Sequence, residues 1–234
     1  MEIQHTKKTA RLAGLIYLIV VITGIVSLAY VPSKLIVWDI AALTMENIKT
    51  NELLFRLSIL SGLICYMAFL ILPFVLYRLL KSIHTTYARL MVILAIISVP
   101  ISLVNLLHKL DVLSLISDAN YLNVFTDSQL ASQVMLSLNQ YDNGILIVQI
   151  FWGLWLFPFG YLVYKSDILP KILGIFLIIG CFSYLINFIG FFLFPNYAEL
   201  GISSYVRLPA TIGEIGICLW LLVIGTKNEP RYLP

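Results

Sequence analysis

Charged residues are scarce in this sequence, and their scarcity excludes most classes of soluble protein. They make up 12% of the 234 residues, whereas an ordinary soluble domain has about 25%. Apolar residues make up 60%, and the mean hydropathy is +0.96. The net charge of +3 is too small to indicate a nucleic-acid-binding protein, and the sequence has no basic patch interleaved with aromatic residues. The composition therefore predicts an integral membrane protein.

Cysteine and the common catalytic motifs are equally sparse. The three cysteines, Cys65, Cys181 and Cys218, lie in separate apolar runs, which is neither a disulfide framework nor a metal-binding spacing. The sequence has no HExxH, no GxSxG, no phosphate-binding loop and no dinucleotide-binding glycine motif. We therefore predict no metal and no cofactor, and the motifs favour a protein that is not an enzyme.

What the sequence does have is a series of long apolar runs bounded by charges, proline or asparagine. About 20 apolar residues cross a bilayer as a helix, and these runs do not alternate as the strands of a barrel would. We predict an all-α polytopic membrane protein, a six-transmembrane-helix bundle with short outer helices that forms a single domain over residues 1–234. The predicted spans are residues 12–30, 54–80, 87–108, 144–164, 171–194 and 207–225.

Short helices are predicted between these spans, on the basis of residues that cap helix N-termini. Thr44 and Asn51 are capping candidates for an outer helix near residues 44–50 and for the second span. Thr126 or Asp127 would cap a further outer helix that leads toward the fourth span. Two alternatives stay open for that helix: it runs on into the fourth span, or it breaks at Asn143 and Gly144, just before the apolar run begins.

The uneven distribution of lysine and arginine predicts the orientation in the membrane. One side holds ten of them: Lys7, Lys8, Arg11, Arg78, Lys81, Arg89, Lys165, Lys171, Lys227 and Arg231. The other side holds five: Lys34, Lys49, Arg56, Lys109 and Arg207. Because the more basic side faces the cytoplasm, we predict a multi-pass protein of the plasma membrane with both termini cytoplasmic.

Polar side chains from five predicted helices are expected at a similar depth, in the outer third of the bilayer. Depth is counted from the span ends at 1.5 Å per residue. Because residues three, four or seven apart share a helix face, and because a charge facing lipid is costly, these side chains are predicted to face the bundle interior. The predicted polar pocket consists of Arg56, Asn105, His108, Gln149, Asn187 and Glu214.

Glu214 is the most unusual member of this predicted pocket, because it lies inside the apolar stretch LPATIGEIGICLWLLVIG. An ionised carboxylate at that depth needs a partner, and Arg56 is the first choice, ahead of Arg207 or His108. The same residues also fit a purely structural clamp, in which an arginine of the second span holds the glutamate of the sixth.

Three functions are compatible with such a pocket. The leading one is binding or transport of a small amphiphilic or lipid-like molecule, with membrane lipids as the surrounding partners and no protein partner identified. The second is a non-catalytic sensor or accessory subunit whose outer helices contact another protein. The third is an intramembrane hydrolase or transferase in which Glu214 and His108 act as acid and base.

The chain also resembles a bacterial family of integral membrane proteins, the domain of unknown function 4386. The similar stretches, in order, are RLAGLIYLIVVITGI, YVPSKLIV, NELLFRL, LYRLLK, FWGLWLFPFGYLVYKSDILPKILGIFLIIGCFSYLINF and PATIGEIGICLWLLVIG. Arg56 and Glu214 match positions associated with the family. The tripeptide Gln140-Tyr141-Asp142 departs from the His and Gly expected there, so no histidine role carries over. The resemblance covers nearly the whole chain and implies a six-helix membrane fold, without implying an activity.

Overall fold

A computed structural model describes residues 2–117 and 119–227, and the regular structure within these residues is entirely helical. Arg231, counted above on the cytoplasmic side, lies outside the described residues. The helices are α1 (Glu2–Ile25), α2 (Val31–Leu35), α3 (Ala41–Thr50), α4 (Glu52–Leu80), α5 (Thr85–Asn105), α6 (Leu107–Leu115), α7 (Asp127–Leu154), α8 (Leu156–Lys165), α9 (Lys171–Leu193) and α10 (Ser203–Val223). A π-turn (Val26–Tyr30) joins α1 to α2, and a short 3₁₀ helix (Asn120–Val124) precedes α7.

Six helical segments in the described part of the chain are long and apolar enough to cross a membrane. They are Thr6–Leu35, Glu52–Leu80, Thr85–Leu115, Asp127–Lys165, Lys171–Leu193 and Ser203–Val223. Each predicted span overlaps one of them, in order. The prediction of an all-α, multi-pass membrane protein is therefore confirmed by the length and composition of its helices.

The fourth span differs from the prediction at its beginning. Helix α7 starts at Asp127 and passes through Asn143 and Gly144 without a break, so the predicted outer helix and the fourth span are one helix. A reciprocal capping pair fixes its start. The Gln129 N–H donates to Thr126 Oγ1 at 3.4 Å, and the Thr126 N–H donates to Gln129 Oε1 at 2.9 Å. Of the two alternatives for this helix, continuation into the fourth span is therefore the one observed, and the break before the apolar run is absent.

The interruption comes instead at Trp155, between α7 and α8. Pro158 has no N–H to donate to the carbonyl group of Leu154, one turn earlier, and this missing bond accounts for a break at this level of the span. The Trp155 side chain is 1% exposed there. The ring of Trp155 packs against the rings of Phe69 and Phe159, with centres 5.1 Å and 5.2 Å away.

The second span begins directly after Asn51, as predicted, and the Asn51 carbonyl accepts from the Phe55 N–H at 3.1 Å, whereas the capping role predicted for the Thr44 side chain is wrong. Helix α3 begins three residues before Thr44, whose hydroxyl group accepts from the Val37 N–H at 2.8 Å and donates to the Val37 carbonyl at 2.9 Å. Asn51 directly precedes α4, but its side-chain amide donates to the Asn47 carbonyl at 3.0 Å. Both side chains thus hold a neighbouring backbone segment instead of capping a helix N-terminus.

The described residues pack into two compact units. The first unit takes residues 1–19, 68–99 and 147–234, and the second takes residues 20–67 and 100–146. The single domain over residues 1–234 stays a prediction, and the two units are described separately below.

In the first unit, glycines allow helix backbones to come into contact. A Cβ added to Gly160 of α8 would lie 2.7 Å from the carbonyl oxygen of Gly174 in α9. A Cβ added to Gly180 of α9 would lie 2.8 Å from the Cα of Ala210 in α10. Small residues at such contacts are the usual means of close helix packing within membranes. Helix α9 is thereby held closely between α8 and α10.

The second unit has an apolar core built from segments at or beyond the ends of the predicted spans. Helices α2, α3 and α6 contribute to it, together with the 3₁₀ helix and the beginnings of α4 and α7. The core residues are Val31, Leu35, Met45, Ile48, Phe55, Val112, Ile116, Leu122, Leu130, Ala131, Val134 and Leu138. The predicted outer helices are thus part of a packed core.

Candidate functional site

Glu214 lies midway along α10 and is half-buried. Two tyrosine hydroxyl groups donate to its carboxylate, one to each oxygen. Tyr17 of α1 donates to Oε1 at 3.2 Å, and Tyr184 of α9 donates to Oε2 at 3.1 Å. Hydrogen bonds to an ionised acceptor are stronger than those between neutral groups. The carboxylate is thus held by hydroxyl groups from two other helices of the first unit.

Glycines explain why these three helices come close enough for the contacts. A Cβ added to Gly14, one turn before Tyr17, would lie 2.3 Å from the backbone nitrogen of Leu222 in α10. A Cβ added to Gly213, next to Glu214, would lie 2.9 Å from the backbone nitrogen of Leu177 in α9. The sequence therefore places glycine beside the residues that must converge.

Arg207 is the nearest positive group on the same helix. It lies seven residues before Glu214, about two helical turns, and its guanidinium carbon is 5.7 Å from the centre of the Tyr184 ring. No lysine or arginine described in the first unit forms an ion pair with Glu214. We call Glu214, Tyr17, Tyr184 and Arg207 the Glu214 cluster.

Arg56, the first-choice partner predicted for Glu214, lies in the second unit and forms an ion pair there. Its Nε lies 2.6 Å from Glu52 Oε1, one turn earlier on α4, and the two side chains are 56% and 44% exposed. An exposed pair of this kind contributes about 0–1 kcal/mol to stability. The pairing of Arg56 with Glu214, which belongs to the first unit, stays a prediction.

Two predicted pocket residues, Asn105 and Asn187, are occupied by structural hydrogen bonds. Asn105 is buried, and its amide donates to the Tyr141 carbonyl at 2.8 Å. Asn187 is also buried, and it accepts from the Tyr197 hydroxyl group at 2.8 Å and donates to the Ser203 carbonyl at 3.1 Å. Asn187 therefore ties the segment between α9 and α10 back onto α9.

The remaining two predicted residues carry buried polar atoms with no hydrogen-bonding partner among the described residues. These atoms are His108 Nδ1 and Gln149 Oε1. His108 Nδ1 lies 3.5 Å from Asp111 Oδ2, one turn away, which is too long for a good hydrogen bond. Within each unit, no hydrogen bond or ion pair joins the predicted pocket residues to one another in the described part of the chain.

The second unit contains a buried cation, Lys109, that the sequence analysis placed on the membrane surface. Its side chain is 1% exposed, because the third span continues to Leu115. The ammonium group donates to the Ser27 carbonyl at 3.0 Å and lies 4.4 Å from the centre of the Tyr141 ring. The Tyr141 hydroxyl group lies 3.3 Å from that of Tyr66. We call these four residues the Lys109 cluster.

The Lys109 contact follows from the π-turn in the first span. The Val31 N–H bonds to the Val26 carbonyl, five residues back, and so misses Ser27. With the same five-residue spacing, the Ser27 carbonyl group would accept from the N–H of residue 32. Residue 32 is a proline and has no N–H. The helix therefore provides no donor for the Ser27 carbonyl group, and the ammonium group of Lys109 provides one.

Sequence reasoning missed Tyr17 and Tyr184, and it counted Lys109 with the charges outside the spans. The two tyrosines lie well inside their spans. That depth is the signal that a hydroxyl group needs a buried partner. For Lys109 the signal is its spacing from Asn105, since four residues place both on one face of a helix.

These observations define a class of protein: a multi-pass, α-helical membrane protein with a half-buried carboxylate and a buried lysine in helices that are long and apolar enough to cross a membrane. The chain matches the family described as Domain of unknown function (DUF4386) over residues 12–225 and belongs to that family. It is also 37% identical over 79 residues to an uncharacterized protein of Archaeoglobus fulgidus. That match covers 33% of this chain and 44% of the relative's length. No solved structure matches the chain.

Proposed function

We propose that this protein binds or transports a small amphiphilic, lipid-like molecule, and that the Glu214 cluster holds the polar part of that molecule. The observation that carries the proposal is the position of Glu214, midway along an apolar helix and without an ion-pair partner among the described residues of its own unit. Intramembrane carboxylates are rare because their burial is costly, and they mark ligand, ion or proton pathways.

The hydrogen bonding around the carboxylate supports a ligand site rather than a finished clamp. A carboxylate has about four lone-pair positions, and the two tyrosine hydroxyl groups occupy two of them. Gln149 Oε1, in the same unit, is a further buried acceptor without a partner among the residues described here. Acceptors that remain open favour a ligand that donates hydrogen bonds.

The proposed orientation places both termini in the cytoplasm of a plasma-membrane protein, so the Arg207 end of α10 faces outward. Its support is the excess of lysine and arginine at the opposite span ends. Single cysteines introduced at exposed Lys171 and exposed Leu200, in a background with the three native cysteines replaced, give the test. An impermeant thiol reagent added to intact cells should label position 200 and leave position 171 unlabelled.

The ligand is tested by mass spectrometry of the molecules that co-purify with the protein in mild detergent. Wild type is compared with Glu214→Gln, and Glu199→Gln is the matched control because Glu199 is exposed and outside the cluster. An amphiphile retained by wild type and by the control, and lost from a folded Glu214→Gln variant, supports the proposal. The same lipids at the same occupancy in all three proteins would count against it.

A second function, that of a sensor or accessory subunit, is favoured by exposed apolar residues in the 3₁₀ helix. Tyr121 is 66% exposed and Val124 is 79% exposed, in the segment predicted to contact a partner. Photo-crosslinking from position 124 in native membranes tests it. One reproducible crosslinked protein that disappears in Val124→Asp would favour this function, and crosslinks to lipid alone would oppose it.

A further inference from the structure

We infer that the Glu214 cluster recognises a zwitterionic head group, with the ligand's ammonium group on Glu214 and its phosphate or carboxylate on Arg207. The inference rests on the proposed function and names the chemistry of its ligand. A site for a zwitterion must present one anion and one cation, and both must have free hydrogen-bonding capacity. The two charges must also be close enough for a single head group to reach both.

The two charges are arranged on one side of α10 with one aromatic ring between them. Arg207 and Glu214 are seven residues apart and so share a helix face. The guanidinium carbon lies 5.7 Å from the centre of the Tyr184 ring, and the hydroxyl group of that ring lies 3.1 Å from the carboxylate. The Tyr184 ring therefore lies between the guanidinium group of Arg207 and the carboxylate of Glu214, and these two charged groups do not pair directly.

Both charges keep unused hydrogen-bonding capacity. The carboxylate has about two free lone-pair positions after its bonds to Tyr17 and Tyr184. A guanidinium group has five N–H donors in a planar fork that matches a phosphate or carboxylate. Arg207 is exposed, and its side chain makes no hydrogen bond to another described residue. An ammonium group on the ligand can donate to the free lone pairs of Glu214. An anionic group on the ligand can accept from the free N–H groups of Arg207.

Charge balance decides between a zwitterion and a singly charged ligand. The positive charge of Arg207 and the negative charge of Glu214 sum to zero, so a zwitterion leaves the occupied site neutral. An anionic amphiphile would leave one net negative charge beside an apolar span, which is costly in a medium of low polarity.

The test measures displacement of a fluorescent phosphatidylethanolamine from the purified full chain in mild detergent. The competitors are unlabelled phosphatidylethanolamine, the anionic phosphatidylglycerol and the uncharged diacylglycerol. Wild type should bind phosphatidylethanolamine about tenfold or more tightly than it binds phosphatidylglycerol or diacylglycerol. A difference of this size corresponds to one or two charge-assisted hydrogen bonds. Glu214→Gln and Arg207→Gln should each abolish this preference. The controls Glu199→Gln and Arg89→Gln, which change exposed residues outside the cluster, should keep it.

Soluble phosphoethanolamine, added as a further competitor, distinguishes two sources of the same chemistry. Displacement by it at concentrations similar to those of the lipid supports the zwitterion site and identifies the source as a free solute. Displacement by the lipid alone supports the site and identifies a membrane lipid. If Glu214→Gln fails to fold, Arg207→Gln still decides, because Arg207 is exposed and its side chain makes no hydrogen bond to another described residue.

The results that overturn the inference differ from those that overturn the proposed function. Saturable binding that depends on Glu214 but favours phosphatidylglycerol or diacylglycerol would reject the zwitterion and keep the amphiphile site. An unchanged preference in Arg207→Gln would reject the assigned anionic end. Absence of saturable lipid binding by wild type would reject the proposed function, and the inference with it.

Discussion

The hydroxyl group of Tyr17 and the carboxylate of Glu214 are 197 residues apart in the chain and 3.2 Å apart in space. This contact joins the first helix of the protein to the last. With the second tyrosine, Tyr184, it gives the carboxylate one hydroxyl donor for each oxygen. The following predictions test what this contact and the others described above contribute.

Removing either tyrosine hydroxyl group should destabilise the protein through Glu214. Tyr17→Phe and Tyr184→Phe should each lower the free energy of unfolding by about 1.5–3 kcal/mol, the range for a hydrogen bond to a charged group. Denaturant unfolding in detergent measures the loss. In the Glu214→Gln background the cost of each change should fall, because the charged acceptor is gone. Equal costs in both backgrounds would mean that the tyrosines act through packing alone.

The Lys109 contact should depend on the absence of an N–H at position 32. In Pro32→Ala the new N–H is positioned to bond to the Ser27 carbonyl, which is the group that Lys109 serves in the wild type. Lys109→Met should therefore cost less in the Pro32→Ala background than in wild type, by about 1 kcal/mol, the net value of a typical hydrogen bond. The free energies of unfolding of the four proteins measure this coupling. Additive effects would show that the carbonyl does not require the ammonium group.

Asn187 should control the segment between α9 and α10. Asn187→Ala removes the acceptor of the buried Tyr197 hydroxyl group and the donor to the Ser203 carbonyl, and each buried group left unpaired costs about 1–3 kcal/mol. Limited proteolysis should then cut within residues 194–202 faster than in wild type. Asn196→Ala is the control, because Asn196 is exposed in the same segment. Equal cleavage rates in the two variants would contradict the assigned role.

Gly144 should tolerate no side chain while Asn105 is present. A Cβ at this position would overlap the Asn105 side-chain amide, so Gly144→Ala should destabilise by about 1–3 kcal/mol, as overpacking does. The double variant Asn105→Ala/Gly144→Ala should be more stable than the sum of the single changes predicts, because the overlap is relieved. Thermal unfolding in detergent compares the four proteins, and a fully additive double variant would rule out the clash.

The number and order of the spans could be predicted from the sequence, because hydropathy alone determines them. The residues at which the spans begin and end could be predicted less well. The fourth span begins at Asp127 because Thr126 and Gln129 cap a helix whose first turns are amphipathic rather than apolar. A rule that looks for apolar runs starts that span near Gly144. The same limit applies to Lys109, since a lysine ordinarily ends a span and only packing shows that the helix continues to Leu115.

The candidate site could be predicted in part. Glu214 is evident from the sequence, because a carboxylate in an apolar run is unusual in any fold. Its partners are not evident, since they depend on which helices come into contact. Gly14 and Gly213 bring α1 and α9 against α10 and so select Tyr17 and Tyr184. The predicted pairing of Arg56 with Glu214 stays a prediction, because the two residues belong to different units.

The π-turn at the end of α1 has a consequence for how this sequence tolerates insertions and deletions. A π-turn is an α-helix with one extra residue, so deleting one residue between positions 26 and 30 would restore a regular helix. The π-turn takes up its extra residue within the turn, so the deletion would leave the segment before it, including Tyr17, without a rotation. If one of residues 28–30 is deleted, Pro32 becomes the residue four positions after Ser27, and the Ser27 carbonyl group still has no N–H donor from the helix. A deletion there would thus shorten the span by one residue and still leave the Ser27 carbonyl group to the ammonium group of Lys109.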